Sequence, residues 1–190
     1  MRIGNAQPRA IVAFDTGLGT FGMAAVDPTA RALLAVGCFE SSKASKKHNV
    51  SDSSDLTHRT VRLAGAVSRF CDQFDVVALA HEALSWPRSS RAAAMLGMSV
   101  GVLVAVSQIW DVPILEVSPQ DLKDRVVGRR TATKADVLAA LAAKPGFERV
   151  AELVAGLHIK ASLVEHPVDA AAVGFCVLDH DMIRVLRRAA

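Results

Sequence analysis

Two acids in this chain stand where an acid can do chemistry. Asp15 closes a short apolar run, residues 11–14, in the stretch AIVAFDTGLGTFG, and Gly17, Gly19 and Gly22 follow it. A carboxylate at the mouth of a buried strand, beside backbone that a ligand can approach closely, suits metal or phosphate chemistry. The same residues also suit a hairpin whose glycines serve a tight turn, and a short glycine pattern does not decide between the two. Glu82 repeats the arrangement, because residues 76–80 form a second apolar run, rich in valine, that stops at His81-Glu82. Runs of this kind are strands covered on both faces, so two carboxylates are expected at the ends of two buried strands.

The elements that must position these acids follow from hydrophobic period and turn chemistry. Residues 21–26 and 32–39 flank Asp27-Pro28-Thr29-Ala30, a turn sequence, and with the first strand predict an antiparallel meander. Residues 41–54 are polar, with Lys43, Lys46, Lys47 and His48; they read as a mobile loop that is either a solvated surface or a seat for a DNA backbone. Leu56, Leu63, Val67, Phe70 and Phe74 recur at helical spacing and predict an amphipathic helix over about 54–73. A long helix over roughly 89–110 follows Glu82, and its Gly97 and Gly101 would let another element pack close. Residues 113–117 are a third candidate for a buried strand.

Ser118-Pro119-Gln120-Asp121 is a capping box with proline at the first helical position, opening a helix to about Val127 that ends before Gly128. Thr133-Lys134-Ala135-Asp136 repeats the box for a helix ending near Lys144-Pro145-Gly146, and 147–156 is a further short helix. Residues 168–188 read as the terminal helix, with Pro167 pre-setting its first turn. The order βββ-α-β-α-β-α-α-α predicts one α/β domain over residues 1–190 with a mixed sheet.

Composition narrows the class. With 51% hydrophobic and 22% charged residues this is an ordinary globular chain, not a disordered one. A net charge of +3 is a mild lean toward polyanions. Cys38, Cys71 and Cys176 are far apart in apolar contexts, without metal-ligand spacing, as in a reduced cytoplasmic protein. No signal-peptide core and no charge-free apolar run of spanning length are apparent, so a soluble protein with no membrane partner is expected.

Taken together, the residues resemble the RuvC family of Holliday junction resolvases, within the RNase H-like/retroviral integrase superfamily. The resemblance runs from Ile11 to about His180 through IVAFDTGLGTFG, VVALAHE, PQDLKDRVVG with Lys134, and HPVDAAAVGF. It implies an RNase H-like α/β fold, a central mixed five-stranded sheet flanked by helices. It further implies a homodimer, joined through the long helix after Glu82, that cuts four-way DNA junctions by symmetric paired nicks. The implied chemistry is two-metal phosphodiester hydrolysis with Mg²⁺, or Mn²⁺ as substitute.

Carried over residue by residue, the resemblance assigns the metal ligands to Asp15, Glu82, His166 and Asp169, in the family variant whose third ligand is histidine. His166 and Asp169, three apart on a helix, share a face. Glu165 adjoins His166 and serves as well by type, so the third ligand is open between them. His166 is either a ligand or a proton carrier for the attacking water. Lys123 and Lys134 match lysines near the scissile phosphate. Arg88, Arg91, Arg129 and Arg130 are phosphate contacts in loops or helix starts. Trp86, one position beyond the family's aromatic, is either a stacking platform for an unpaired base or a core aromatic. Thr16 departs from the family's usual proline, and the segment 147–165 is longer than expected. Other activities fit the same fold: a less selective nuclease of branched or flap DNA or RNA–DNA hybrids, or a non-cleaving junction-binding protein. An ATPase of the actin and sugar-kinase superfamily also sets Asp and Gly after its first strand, but 190 residues are too few for its paired domains.

Overall fold

The computed structural model describes residues 7–44, 51–84 and 89–188. Five strands make one sheet: β1 (Arg9–Asp15), β2 (Thr20–Asp27), β3 (Ala32–Glu40), β4 (Asp75–Glu82) and β5 (Ile114–Val117). Their spatial order is β3-β2-β1-β4-β5, antiparallel through the first three and parallel from β1 to β4 and β5. The mixed five-stranded sheet expected from the sequence is therefore present. Asp27 builds the β2–β3 turn, its Oδ1 accepting from the N–H of Thr29 at 2.7 Å and of Ala30 at 2.9 Å. Because β1 and β4 are parallel neighbours, with Phe14 opposite His81, their C-terminal ends emerge side by side. That register alone brings Asp15 and Glu82 to one edge.

Alternation along β1 splits the core in two. Ala10, Val12 and Phe14 pack with Leu63 and Val67 of α1 (Asp52–Cys71) and Leu103 of α2 (Ser90–Trp110). Ile11 and Ala13 face the other layer, formed by α3 (Pro119–Val127), α4 (Lys134–Ala142), α5 (Val150–Ala155) and α6 (Glu165–Val177). The helix starts obey their caps. Ser118 Oγ accepts from the Asp121 N–H at 3.0 Å, and Gly128 ends α3 in the left-handed region at φ 82°. At α4 the box is reciprocal, Thr133 Oγ1 accepting from the Asp136 N–H and Asp136 from the Thr133 N–H.

Three expectations need correction. The terminal helix is broken: α6 starts at Glu165, ends at Val177, and α7 (Asp181–Arg188) leaves at a bend of 74°. The bend turns Ile183 fully into the core and lets Asp179 take both guanidinium nitrogens of Arg31, at 2.9 and 3.2 Å. The described ends of the segment 41–54 are also less free than its composition predicts. Ser51 caps α1, and the Ala44 N–H donates to Asp55 at 2.8 Å; Lys46, Lys47 and His48 lie outside the described residues.

The third correction concerns α2. Residues 92–110 carry no charge, and α2 is long and apolar enough to cross a membrane by length and composition. In this fold one side of it packs on the sheet, burying Val102 and Leu103. The other side leaves Val104 47% exposed, and Ile109, in line with Val102 near the end of the helix, is 77% exposed. A Cβ added at Gly97 or Gly101 would meet nothing within 4 Å, so among the described residues no element uses the close approach those glycines allow.

Candidate active site

Asp15 and Glu82 project from the ends of β1 and β4, and the start of α6 lies directly over them. Gly22 makes this possible. It sits opposite Asp15 in the β1–β2 register, and a Cβ there would fall on the carbonyl oxygen of His166. Gly17 does the other job, since a Cβ there would stand 2.7 Å from the Thr20 carbonyl oxygen. These two glycines thus serve a tight hairpin and helix seating; neither has positive φ. Seating α6 this closely brings His166 and Asp169, one turn apart, down beside Asp15.

The result is a cleft of about 330 Å³ lined by Asp15, Glu82, His166, Asp169, Lys123 and Lys134, among others. All four acids and histidines of the expected ligand set, and both expected lysines, reach it. Arg91, Arg129 and Arg130 do not line it. Arg129 is bound to Asp136 at 2.8 Å, and Arg91 to Asp52 at 2.9 Å, where Lys43 also binds at 2.6 Å. Trp86 and Arg88 lie outside the described residues. Glu165 stays outside the cleft lining and binds Lys134 at 2.8 Å; His166, not Glu165, faces the carboxylates.

The electrostatics follow from crowding acids in a half-buried space. Burial, then the Asp15 and Asp169 charges, push the Glu82 carboxyl up to about 7. Burial and Asp15 likewise raise Asp169 to about 6. His166 Nδ1 lies 2.6 Å from Asp15 Oδ2, and that bond holds its imidazole above the usual value. The Lys134 bond holds the Glu165 carboxyl below its usual range. Lys134 Nζ also stands 3.6 Å from Asp169.

Carboxylates that keep their protons toward neutrality mark an excess of negative charge that a cation relieves. Three carboxylates with one imidazole are hard donors of the kind that suit Mg²⁺ or Mn²⁺. As the side chains stand, no three His, Cys, Asp or Glu among the described residues converge closely enough to hold an ion. Asp15 is turned to His166 and Asp169 to Lys134, so the donor types fit a divalent cation although the present rotamers do not form a closed shell.

Two polar groups behind the cleft escape a reading of motifs. His81, only 1% exposed, places Nδ1 2.8 Å from the Glu82 carbonyl oxygen and Nε2 3.4 Å from Glu116; its pairing with Glu116 across β4–β5 could have been found only from register. Arg59 did leave a signal. The apolar stripe of α1 skips a turn between Leu56 and Leu63, and Arg59 occupies the gap with 7% exposure.

No protein-family model matches this chain, and no curated protein matches it. Solved structures do. Thermus thermophilus RuvC in complex with a Holliday junction substrate superimposes with a TM-score of 0.63 at 19% identity, covering 88% of this chain and 91% of that one. A second Thermus thermophilus RuvC structure gives 0.63 at 20% identity, over 88% and 92%. The yeast mitochondrial Holliday junction resolvase Ydc2 gives 0.63 at 9% identity, over 98% of this chain and 85% of its own. Across nearly its whole length this chain therefore has the RNase H-like α/β fold in the form that the RuvC structures take.

Proposed function

We propose that this chain is a single-domain, divalent-metal-dependent endonuclease that resolves four-way DNA junctions by paired nicks. The observation that carries the reading is the cleft itself. Two strand-end acids, the His166–Asp169 turn of α6 and two lysines meet in one half-buried space, on a fold shared with a RuvC structure in complex with a Holliday junction substrate. Two divalent cations held among Asp15, Glu82, His166 and Asp169, Mg²⁺ or Mn²⁺ in its place, would supply an activated water and charge for the leaving oxygen. The side chains contribute the rest. Lys134 and Lys123 neutralise the phosphate and the charge that builds on it as the bond breaks. His166, fixed through Nδ1 by Asp15, keeps Nε2 available as a ligand or to hold a proton.

Paired nicks need two such clefts. The exposed side of α2, with Gly97, Gly101 and Val104, is the face we assign to the partner in a homodimer acting in the cytoplasm. Small residues let two helices approach closely, and apolar neighbours make that approach favourable. The test is a pair of isosteric variants, Asp15→Asn and Glu82→Gln. Both should abolish cleavage and leave junction binding largely intact. Loss of binding with unchanged cleavage per bound junction would overturn the assignment of these acids.

A further inference from the structure

Helix α1 carries a buried ion pair whose geometry is poor for stability. Asp55 and Arg59 are 4% and 7% exposed, yet Arg59 Nη1 stands 3.7 Å from Asp55 Oδ2, an oxygen without a hydrogen-bond partner among the described residues. Two desolvated charges in so long a contact are no better than apolar side chains of the same size. The short contacts of Arg59 lie elsewhere. Its Nε donates to Ser41 Oγ at 2.9 Å and its Nη2 to the Ser41 carbonyl at 3.4 Å.

Ser41, itself 6% exposed, passes the restraint on. Its hydroxyl donates to the Leu18 carbonyl at 2.5 Å and its N–H to the Gly19 carbonyl at 2.8 Å. Leu18 and Gly19 belong to the four-residue link, 16–19, between Asp15 and β2. On the other side, Asp55 Oδ1 holds the Ala44 N–H. One guanidinium thus ties together the link that leaves Asp15, the chain that leaves β3, and helix α1. All three meet at the cleft end of the sheet, where Thr20 pairs with Glu40.

We propose that Arg59 is a positioning residue for the cleft: through Ser41 it fixes the link 16–19 and so the strand end from which Asp15 projects. This rests on reading the cleft as a nuclease site. Arg59→Met keeps the stem and loses every donor, whereas Ser41→Ala removes the hydroxyl that joins Arg59 Nε to the Leu18 carbonyl and leaves the main-chain bonds of residue 41 and the ion pair in place. Each should lower single-turnover junction cleavage roughly 10- to 100-fold at saturating enzyme, the scale of a small misplacement of a reacting group. Junction affinity in chelator should change by less than about twofold, because neither residue lines the cleft.

The double variant should be no slower than the slower single one, since both act through one contact chain. Arg59→Lys, which can still donate to Ser41, should recover most of the rate. Should Arg59→Met fail to fold, Ser41→Ala carries the same comparison. Hydrogen exchange in the metal-free protein gives a readout independent of activity. Amides 16–20 should exchange faster in both variants while the centre of β1 stays protected. If the native chain proves not to cut junctions, that exchange result still tests the positioning. Unchanged exchange at 16–20, or additive losses in the double variant, would overturn it.

Discussion

Glu82→Gln offers a test of the charge balance in the cleft that needs no substrate. Burial and the neighbouring Asp15 and Asp169 charges lift the Glu82 carboxyl from 4.5 to about 7. The folded chain therefore holds this proton more tightly than the unfolded one. Ionised Glu82 thus subtracts from stability as pH rises through that window, and its full effect is in force above about pH 7. A shift of that size corresponds to about 3 kcal/mol at most. Solvent reaching a half-buried carboxylate screens it, leaving about 1–2 kcal/mol. Glutamine keeps the shape and removes the charge. In chelator at about pH 8.5 the variant should be more stable than the native chain by that amount, some 2–8 °C in Tm for a chain of this size. At about pH 4.5 the two should match, because the native carboxyl is then protonated in the fold. Added Mg²⁺ should raise the native Tm by mass action and leave the variant nearly unmoved. Equal stability at high pH, or the same gain at low pH, would refute a surplus of buried negative charge.

Three further outcomes are expected. Lys134→Met should slow junction cleavage by at least about tenfold and raise Asp169 further, since the Lys134 charge now lowers it; an Asp169 titration by NMR that does not move would contradict this. Gly22→Ala should lower stability by more than about 2 kcal/mol in urea denaturation, because its methyl group would fall on the His166 carbonyl. Unchanged stability would show that α6 is not seated as described. The native chain should sediment as a dimer and Val104→Glu as a folded monomer. A native chain already monomeric at micromolar concentration would remove α2 as the dimer face.

The acids at strand ends were legible because period and position carry them. An apolar run that stops at Asp15 or Glu82 is visible without a fold, and parallel pairing of β1 with β4 then brings them together. His166 and Asp169 were legible only as part of a larger resemblance; that His166 rather than Glu165 meets Asp15 depends on how closely Gly22 lets α6 approach β2. The glycines of the first motif suited either a ligand cradle or a tight hairpin, and Gly17 and Gly22 answer to backbone neighbours. The break between α6 and α7 was hidden because both halves share helical propensity, and the burial of Ile183 and the pairing of Asp179 with Arg31 that accompany it are tertiary. Arg91 and Arg129 were candidates for phosphate contacts by type; each has a local partner, Asp52 and Asp136, that a phosphate would have to displace. Arg59 was a charge in an apolar stripe, and its meaning depended on Ser41, a residue 18 positions away.

Junction resolution can be read directly by incubating a labelled four-way junction beside a linear duplex of the same arms, with Mg²⁺ or with chelator, for the native chain and Asp15→Asn. Paired nicks are expected in the junction alone, lost both in chelator and in the variant. Tight junction binding without any cut, or equal cutting of junction and duplex, would contradict it.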